Sequence, residues 1–507
     1  MSDPAPVQQA AVIGAGTMGA GIAQVLATAG ADVHLVDLQP DALDRATGRI
    51  RADLDGAVQR GRMQAAEAAR VLDRLHVTTD FEAIASAELV VEAVVEDAAV
   101  KAEVLGRASA ATGGRAVLAT NTSSLLVSDI AARVDRPDRV VGMHFFNPVP
   151  RMKLVEVIAG VDTDEAVLQL AVDVVAWLGK RSITATDGIG FIVNRCGRPF
   201  YGEALKLAQE RIAPAEQIDR ICRLGGGFRM GPFELIDLVG VDVNLAIARS
   251  FFEQSFGEPR WRPNALQARL VAAGRTGRKS GRGFYTYADG PHRAPDPVLL
   301  PTGGDGRAVH VEGEGPIADR LCDALRSSDF ALPGDASTAW LVFDCRLHPA
   351  HAVEGSGPRA VLCAATSLRR RGDAPAAGFH TLALPEARAV ELTASTTTDP
   401  EALRRTEECF AALGYAVEHV GDAPGLVLGR IVAQLVNESA FAEGEAVGSP
   451  EDLEVAVTVG LNHPHGPAGW TALVGPEYVV AVIDGLHRER REERYRLAPN
   501  LIAAPAR

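Results

Sequence analysis

What the sequence lacks narrows its reading first. Its six cysteines, Cys196, Cys222, Cys322, Cys345, Cys363 and Cys409, show no CxxC or CxH spacing. A zinc site and a disulfide framework are therefore not expected, and the thiols read as buried or incidental and reduced. No uninterrupted run of about 18 apolar residues is present, so no membrane helix is expected. Positive charge is in deficit: 51 Lys and Arg against 65 Asp and Glu leave a net −14. Neither a nucleic acid nor an anionic membrane is then the expected main partner, and an anionic substrate would need a local basic patch. The leading MSDPAPVQQ is acidic and polar and runs straight into an apolar strand. It reads as neither a signal nor a transit peptide, and a cytosolic protein is expected.

What is present begins with residues 10–37, AAVIGAGTMGAGIAQVLATAGADVHLVD. A short apolar strand enters Gly14-x-Gly16-x-x-Gly19, a helical stretch follows, and a second apolar strand ends on Asp37. Gly14 would permit the tight turn, Gly16 would let backbone approach a pyrophosphate, and Gly19 would let the helix pack closely on the sheet. The helix then aims its N-terminal N–H groups, those around Thr17 and Met18, at the phosphates. Asp37, 18 residues past Gly19, can accept from a ribose 2′-OH and repel a 2′-phosphate. Leu38 and Gln39 follow where an arginine would favour NADP, so the loop reads as a site for NAD.

A chain of 507 residues, 47% hydrophobic and 23% charged, predicts three or four soluble domains. The first half alternates strand-like stretches (AAVIGAG, DVHLVD, LVVEAVVE, RAVLATNTSS, RVVGMHFFNP, MKLVEVIAG) with helical ones. That alternation predicts an α/β fold with a parallel, doubly wound sheet. From about Asp187 the pattern turns helical and closes near KSGRGFYTY, before a Pro/Gly-rich linker at about 288–306. Beyond the linker the chain repeats itself. DGIGFIVNR (187–195) matches DAPGLVLGR (422–430) at an offset of 235 residues. The same offset carries Glu156 to Glu391, Glu203 to Glu438, Gly231-Pro232 to Gly466-Pro467, and Gly240 to Gly475. Upstream the match loosens, and the glycine loop survives at most as VEGEG (311–315). The expected domains are 1–187 (nucleotide-binding), 188–290 (helical), 307–421 (degenerate α/β) and 422–507 (second helical).

Three stretches carry candidate chemistry: TNTSS (120–124), HFFNPVPRMKLVEV (144–157) and GFIVNR (190–195). His144 closes a strand where doubly wound sheets place their ligand crevice. An imidazole suits removal of an alcohol proton near neutral pH. Glu156, 12 residues on, could pair with it and orient it. Equally, His144 could satisfy a buried strand end and Glu156 could cap a loop. Asn194 could cap a helix, and the run around Ser123 could be a plain turn.

With GAGTMGAGIAQ, VVEAVVED, MGPFELIDLVGVD and KSGRGFY, these stretches resemble the NAD-dependent L-3-hydroxyacyl-CoA dehydrogenase family over about residues 9–288. The full length, with its degenerate second half, resembles the long bacterial members that act on 3-hydroxyadipyl-CoA in phenylacetate degradation. The resemblance implies an N-terminal Rossmann-like sheet domain and a helical C-terminal domain. It implies NAD as cofactor and oxidation of a 3-hydroxyacyl-CoA, of adipyl or butyryl chain, to the 3-oxo thioester. It also implies a His144–Glu156 catalytic pair, with Ser123 and Asn194 holding the reacting oxygen. Gly14, Gly16, Thr17, Met18, Gly19 and Asp37 would bind the cofactor, as would Glu96, Lys101, Asn147 and Lys279. Arg49, Arg51, Arg60 and Arg62 could meet the CoA phosphates or simply be solvated, and Arg151 could meet an adipyl carboxylate. In the second copy, Gly429 stands for Asn194, His380 lies in a weakened context, and Glu391 is expected to have lost its partners. That half is expected to be non-catalytic, its helices taking the place of a partner subunit, so the chain is read as an internal pseudo-dimer or a homodimer. Two rival readings are another 3-hydroxy-acid dehydrogenase and a non-catalytic NAD- or CoA-binding protein.

Overall fold

The computed structural model describes residues 5–287, 290–347, 357–371, 375–382 and 384–502. The first four residues of MSDPAPVQQ and Ala288-Asp289 of the linker lie outside that set. The chain forms two compact units, one of 1–195 with 445–461 and one of 196–444 with 462–507.

The first unit is built on an eight-stranded sheet. Its strands are β1 (Gln9–Ile13), β2 (Asp32–Val36), β3 (Leu75–Thr78), β4 (Leu89–Glu92), β5 (Val117–Thr120), β6 (Val140–Phe145), β7 (Leu154–Ala159) and β8 (Arg181–Thr186). Their spatial order is β3-β2-β1-β4-β5-β6-β7-β8. β4, β5 and β6 are buried throughout, as expected of strands covered on both faces. The sheet is not wholly parallel: β6 and β7 run antiparallel, which sets His144 directly opposite Glu156. The two edge strands, LHVT and RSITAT, were not among the expected strands. They are polar and only partly buried, so they carry no apolar run to read. Residues 445–461 complete this unit. They comprise the helix Pro450–Val455 and the π turn Ala456–Gly460. The edge strand β8 is covered there: Thr186 N donates to the Val447 carbonyl at 2.9 Å, and Arg181 pairs with Glu451 at 2.6 Å.

The second unit holds a six-stranded sheet of β9 (Val309–Glu312), β10 (Leu341–Asp344), β11 (Arg359–Leu362), β12 (Ala377–His380), β13 (Ala389–Thr393) and β14 (Ala416–His419). Their order is β14-β13-β12-β11-β10-β9, with β12 and β13 the one antiparallel neighbour pair. This is the first sheet without its β2 and β3, read in the same order and with the same single reversal. The helices of both copies pack around it in one hydrophobic core.

At the centre of that packing Arg430 is fully buried. Its guanidinium meets Glu203 at 2.8 Å, Glu210 at 2.8 Å and the Tyr495 hydroxyl at 2.6 Å. The offset of 235 residues relates Arg430 to Arg195 and Glu210 to Glu445, and Arg195 pairs with Glu445 at 2.8 Å. Each helical copy thus offers its arginine to the other's glutamate. Among the described residues no helix is long and apolar enough to cross a membrane.

A buried cation removed from its carboxylates leaves charges that the interior cannot solvate. Arg430→Met is therefore expected to lower the unfolding free energy by about 3–5 kcal/mol in urea titration. A change below about 1 kcal/mol would mean that Arg490 and Arg494, which also reach these glutamates, already suffice.

Candidate active site

The phosphate turn follows directly from its glycines. Gly14 adopts φ +102°, and a Cβ there would lie 2.7 Å from the Ala93 carbonyl. At Gly19 a Cβ would fall 1.8 Å from the Gly14 carbonyl, so the helix Thr17–Ala29 can approach the turn only without one. Gly16 faces open space. It is also the N-cap of that helix and no side chain caps it, so the first amides remain free for an anion. Asp37 is held at the end of β2 by the Ala15 amide at 2.7 Å and the Gln39 amide at 2.9 Å. Its remaining lone pairs suit a ribose hydroxyl. The open turn, free amides and fixed carboxylate fit a dinucleotide.

Next along the edge, Glu96 organises the TNTSS turn. Its Oε1 accepts from the Thr122 hydroxyl at 2.7 Å, from the Ser123 and Ser124 amides, and from the Ser124 hydroxyl. Burial works against this carboxylate, but the Lys101 ammonium and these hydrogen bonds outweigh it and hold its pKa below the usual range. Lys101 is itself buried, with its ammonium 3.0 Å from Glu92 and 3.2 Å from Glu96. Ser123 lies exposed on the turn, and its carbonyl accepts from the Asn194 side-chain amide at 3.3 Å. Asn194 therefore reaches across to the serine turn instead of capping its own helix.

His144 and Glu156 form the centre. The Nδ1 of His144 lies 2.6 Å from Glu156 Oε2, and both side chains are almost wholly buried. Because a carboxylate can only accept, Nδ1 carries the proton and Nε2 keeps its lone pair. Phe146 and Phe191 flank the ring, at 4.4 and 5.8 Å between centroids. The other oxygen of Glu156 accepts from the amides of Ile192 and Val193, both at 2.9 Å. Those amides open the helix Val193–Gln209. The pairing and capping readings of Glu156 thus hold together, one on each oxygen. The turn that aims the amides is strained: Gly190 has φ +70° and Phe191, a bulky residue, φ +51°.

The remaining candidates are placed as follows. Asn147 is exposed and, with Thr17, Arg49 and Arg151, lines a cleft of about 220 Å³. Arg49 donates to the Thr17 hydroxyl at 3.0 Å, beside the phosphate turn. Arg60, Arg62, Arg151 and Lys180 line a larger cleft of about 400 Å³, and burial lowers the Lys180 pKa. Arg51 is exposed on its helix. Arg151 already has Asp53 at 3.6 Å. Lys279 belongs to the second unit, where its ammonium pairs with Asp242 at 2.7 Å.

The second copy keeps more than expected. His380 faces Glu391 in the same strand register, with Nδ1 3.1 Å from Oε1. Glu391 also accepts from the Val427 amide at 2.7 Å and the Leu428 amide at 3.1 Å, the counterparts of Ile192 and Val193. Even the turn repeats, with Gly425 at φ +71° and Leu426 at +44°. Glu391 has therefore not lost its partners. What has changed lies on the far side of the imidazole, where His380 Nε2 hydrogen-bonds the Tyr478 hydroxyl. A Cβ at Gly429, where the first copy has Asn194, would lie 2.1 Å from that hydroxyl. The phenol thus takes the space of the asparagine and closes the free edge of the imidazole. The phosphate turn also survives in outline: Gly313 has φ +97° and presses on the Arg346 backbone. The helix Pro316–Arg326 then leads straight to β10, without a strand to carry a counterpart of Asp37.

Comparison with known proteins agrees with this geometry. Residues 9–188 match the family model "3-hydroxyacyl-CoA dehydrogenase, NAD binding domain". The model "3-hydroxyacyl-CoA dehydrogenase, C-terminal domain" matches 190–287 and again 425–506. The chain is 36% identical over 492 residues to 3-hydroxyadipyl-CoA dehydrogenase of Escherichia coli K12, covering 97% of this chain and 96% of that one. It is 41% identical to 3-hydroxybutyryl-CoA dehydrogenase of Mycobacterium tuberculosis, across 57% of this chain and all of that one. A crystal structure of 3-hydroxybutyryl-CoA dehydrogenase from Escherichia coli K12 superposes with a TM-score of 0.84 at 34% identity, covering 98% of each chain. The chain belongs to the NAD-dependent 3-hydroxyacyl-CoA dehydrogenase family.

Proposed function

We propose that the protein interconverts (S)-3-hydroxyacyl-CoA and 3-oxoacyl-CoA thioesters, with 3-hydroxyadipyl-CoA as the preferred substrate and 3-hydroxybutyryl-CoA as a shorter one. The observation that carries the chemistry is the His144 Nδ1–Glu156 contact of 2.6 Å, which leaves Nε2 as a base. The adipyl preference is supported by the similarity to the Escherichia coli 3-hydroxyadipyl-CoA dehydrogenase, which runs through both halves.

In this reading His144 Nε2 accepts the C3 hydroxyl proton. Glu156 holds the Nδ1 proton and stabilises the imidazolium that results. When bound across the Gly14–Gly19 turn, NAD supplies the hydride acceptor. Ser123 and Asn194, already joined through the Ser123 carbonyl, orient the reacting oxygen. Glu96, Lys101, Asn147 and Lys279 are assigned to the cofactor side, and Arg60 and Arg62 to the CoA phosphates. The second half, with its imidazole closed by Tyr478, serves as a non-catalytic scaffold, and the chain is an internal pseudo-dimer. In this reading the chain has four domains, 1–187, 188–290, 307–421 and 422–507.

The direct test is oxidation of NADH with acetoacetyl-CoA, beside free acetoacetate and beside NADPH. Turnover is expected with NADH and the thioester alone. Turnover of free acetoacetate would favour a simpler hydroxy-acid dehydrogenase, and no turnover of any thioester would favour a binding protein. His144→Gln is expected to lower kcat by about 10²–10⁴-fold while NADH affinity, read by fluorescence titration, stays within about twofold. Near-native turnover would remove His144 from its role. Asp37→Ala is expected to weaken NADH binding by about 10–100-fold and narrow the gap to NADPH. An unchanged NADH/NADPH ratio would count against it. The two glutamates separate structure from chemistry. A glutamine at either position points an amide donor at groups that already donate, costing about 1–3 kcal/mol of stability. Glu391→Gln should show that loss with normal kcat, whereas Glu156→Gln should lose kcat as well. Equal kcat in the two variants would deny Glu156 a part in the reaction.

A further inference from the structure

Three charged side chains gather where the strand order of the first sheet reverses. β2 and β3 lie on one side of β1, and β4, β5 and β6 lie on the other. A doubly wound sheet takes its dinucleotide across that point, between β1 and β4. Asp37, just past β2, serves the adenosine side. That leaves the side of β4 and β5, towards His144 on β6, for the nicotinamide half. Glu92 is the last residue of β4, and Glu96 follows in the loop to the helix Ala98–Ala111. Lys101 stands near the start of that helix.

Glu92 is wholly buried and well supplied with donors. Lys101 Nζ lies 3.0 Å from each of its oxygens. The Thr120 hydroxyl donates to Oε1, and the Val94 amide donates to Oε2 at 3.2 Å. The same ammonium reaches Glu96 Oε2 at 3.2 Å. Lys101 is sealed in, but the Glu96 side chain is 38% exposed. Among the described residues no other cation pairs with either glutamate, so two negative charges share one positive. Lys101 meets both oxygens of Glu92 and one of Glu96, so Glu96 keeps part of its charge, at the open rim. The Thr122 and Ser124 hydroxyls and the Ser123 and Ser124 amides spread that charge without cancelling it.

We propose that Glu92 is a positioning residue for the cofactor's charge. By holding Lys101 back from Glu96, it leaves a net negative charge at the nicotinamide edge, which favours NAD⁺ over NADH. In the dehydrogenase reading above, on which this rests, the two forms differ by one positive charge. NAD⁺ carries it on the nicotinamide ring, and uptake of a hydride removes it. The phosphates, the adenine and both riboses are common to the two forms, so the Gly14–Gly19 turn and Asp37 grip them alike. Discrimination needs a group that senses the ring's charge, and charge acts over several ångströms without contact. A bound couple biased towards NAD⁺ makes NADH the better hydride donor.

The test measures the dissociation constants of NAD⁺ and NADH separately, by titration calorimetry, on the wild-type protein and on Glu92→Gln. That variant keeps the shape of the side chain and removes its charge. It is expected to bind NAD⁺ about 5–20-fold more weakly, with NADH changed by less than about twofold. A tenfold change in the ratio is equivalent to about 30 mV in the potential of the bound couple. Thr120→Val takes a donor from Glu92 but no charge, and should leave the ratio within about twofold. A shift in that variant as large as in Glu92→Gln would mean that local structure, not charge, sets the ratio. Equal losses for both cofactors in Glu92→Gln, or an unchanged ratio, would overturn the proposal. If Glu92→Gln fails to fold, Glu96→Gln at the exposed member of the cluster decides, since it too should weaken NAD⁺ more than NADH. Wild-type protein that binds neither cofactor would sink the dehydrogenase reading, and the proposal with it.

Discussion

A carboxylate buried away from water must find donors for its oxygens, and Glu156 finds three. One oxygen takes the His144 Nδ1 proton, and the other takes the two amides that open the helix Val193–Gln209. Removing any of these would leave part of a charge unsolvated, at a cost of about 1–3 kcal/mol, a sizeable share of a domain's margin of stability. The rest of the active unit is arranged to meet that demand. The single antiparallel pairing, β6 with β7, sets the histidine opposite the glutamate. The Gly190–Phe191 turn accepts an unfavourable backbone so that Ile192 and Val193 point inward. Helix start, strand register and base orientation are therefore one constraint. Asn194, the next residue after the capped amides, owes its position to the same carboxylate.

The second copy shows the same constraint where the free edge of the imidazole is closed by a side chain. His380, Glu391, the Val427 and Leu428 amides and the strained Gly425–Leu426 turn repeat the arrangement. There the free edge of the imidazole is closed by Tyr478, with Gly429 making room for it. A dyad whose imidazole is closed by a phenol still needs its donors, because the glutamate is still buried and the helix start is still unsatisfied without it. The structural demand alone is enough to keep the pair intact. The first copy differs in leaving Nε2 open, and in having β2 to carry Asp37 beside the phosphate turn.

This division explains which parts were legible in the sequence. Local spacing carries the phosphate turn, because Gly14, Gly16 and Gly19 answer to collisions within a few residues. The strands buried on both faces were legible as apolar runs, whereas β3 and β8 were not: as partly exposed edges they have no such run. The His144–Glu156 pair was visible as a spacing, but the second duty of Glu156 was not, since its amide partners lie 36 and 37 residues further on. The survival of the second dyad was hidden for a related reason. The offset shifts by one residue between Glu391 and His380, and the strand register that restores their pairing is a property of the sheet.

Charge balance adds a step that no local pattern holds. Lys101 meets Glu92 and Glu96, Arg430 meets Glu203 and Glu210, and Arg260 meets Glu258 and Glu438. Each cluster is closed by partners from within the chain. Burying a charge costs several kcal/mol unless it is answered, so a group left unanswered needs a reason. In the first unit three groups that the fold leaves open are the Nε2 of His144, the uncapped amides at Thr17 and the exposed Ser123 hydroxyl. Their chemistry differs in kind: one can take a proton, one suits an anion and one suits a neutral oxygen. A dinucleotide and a 3-hydroxyacyl thioester present a counterpart to each of the three. The polar groups that the fold does not satisfy thus outline the ligands as closely as the residues that it positions.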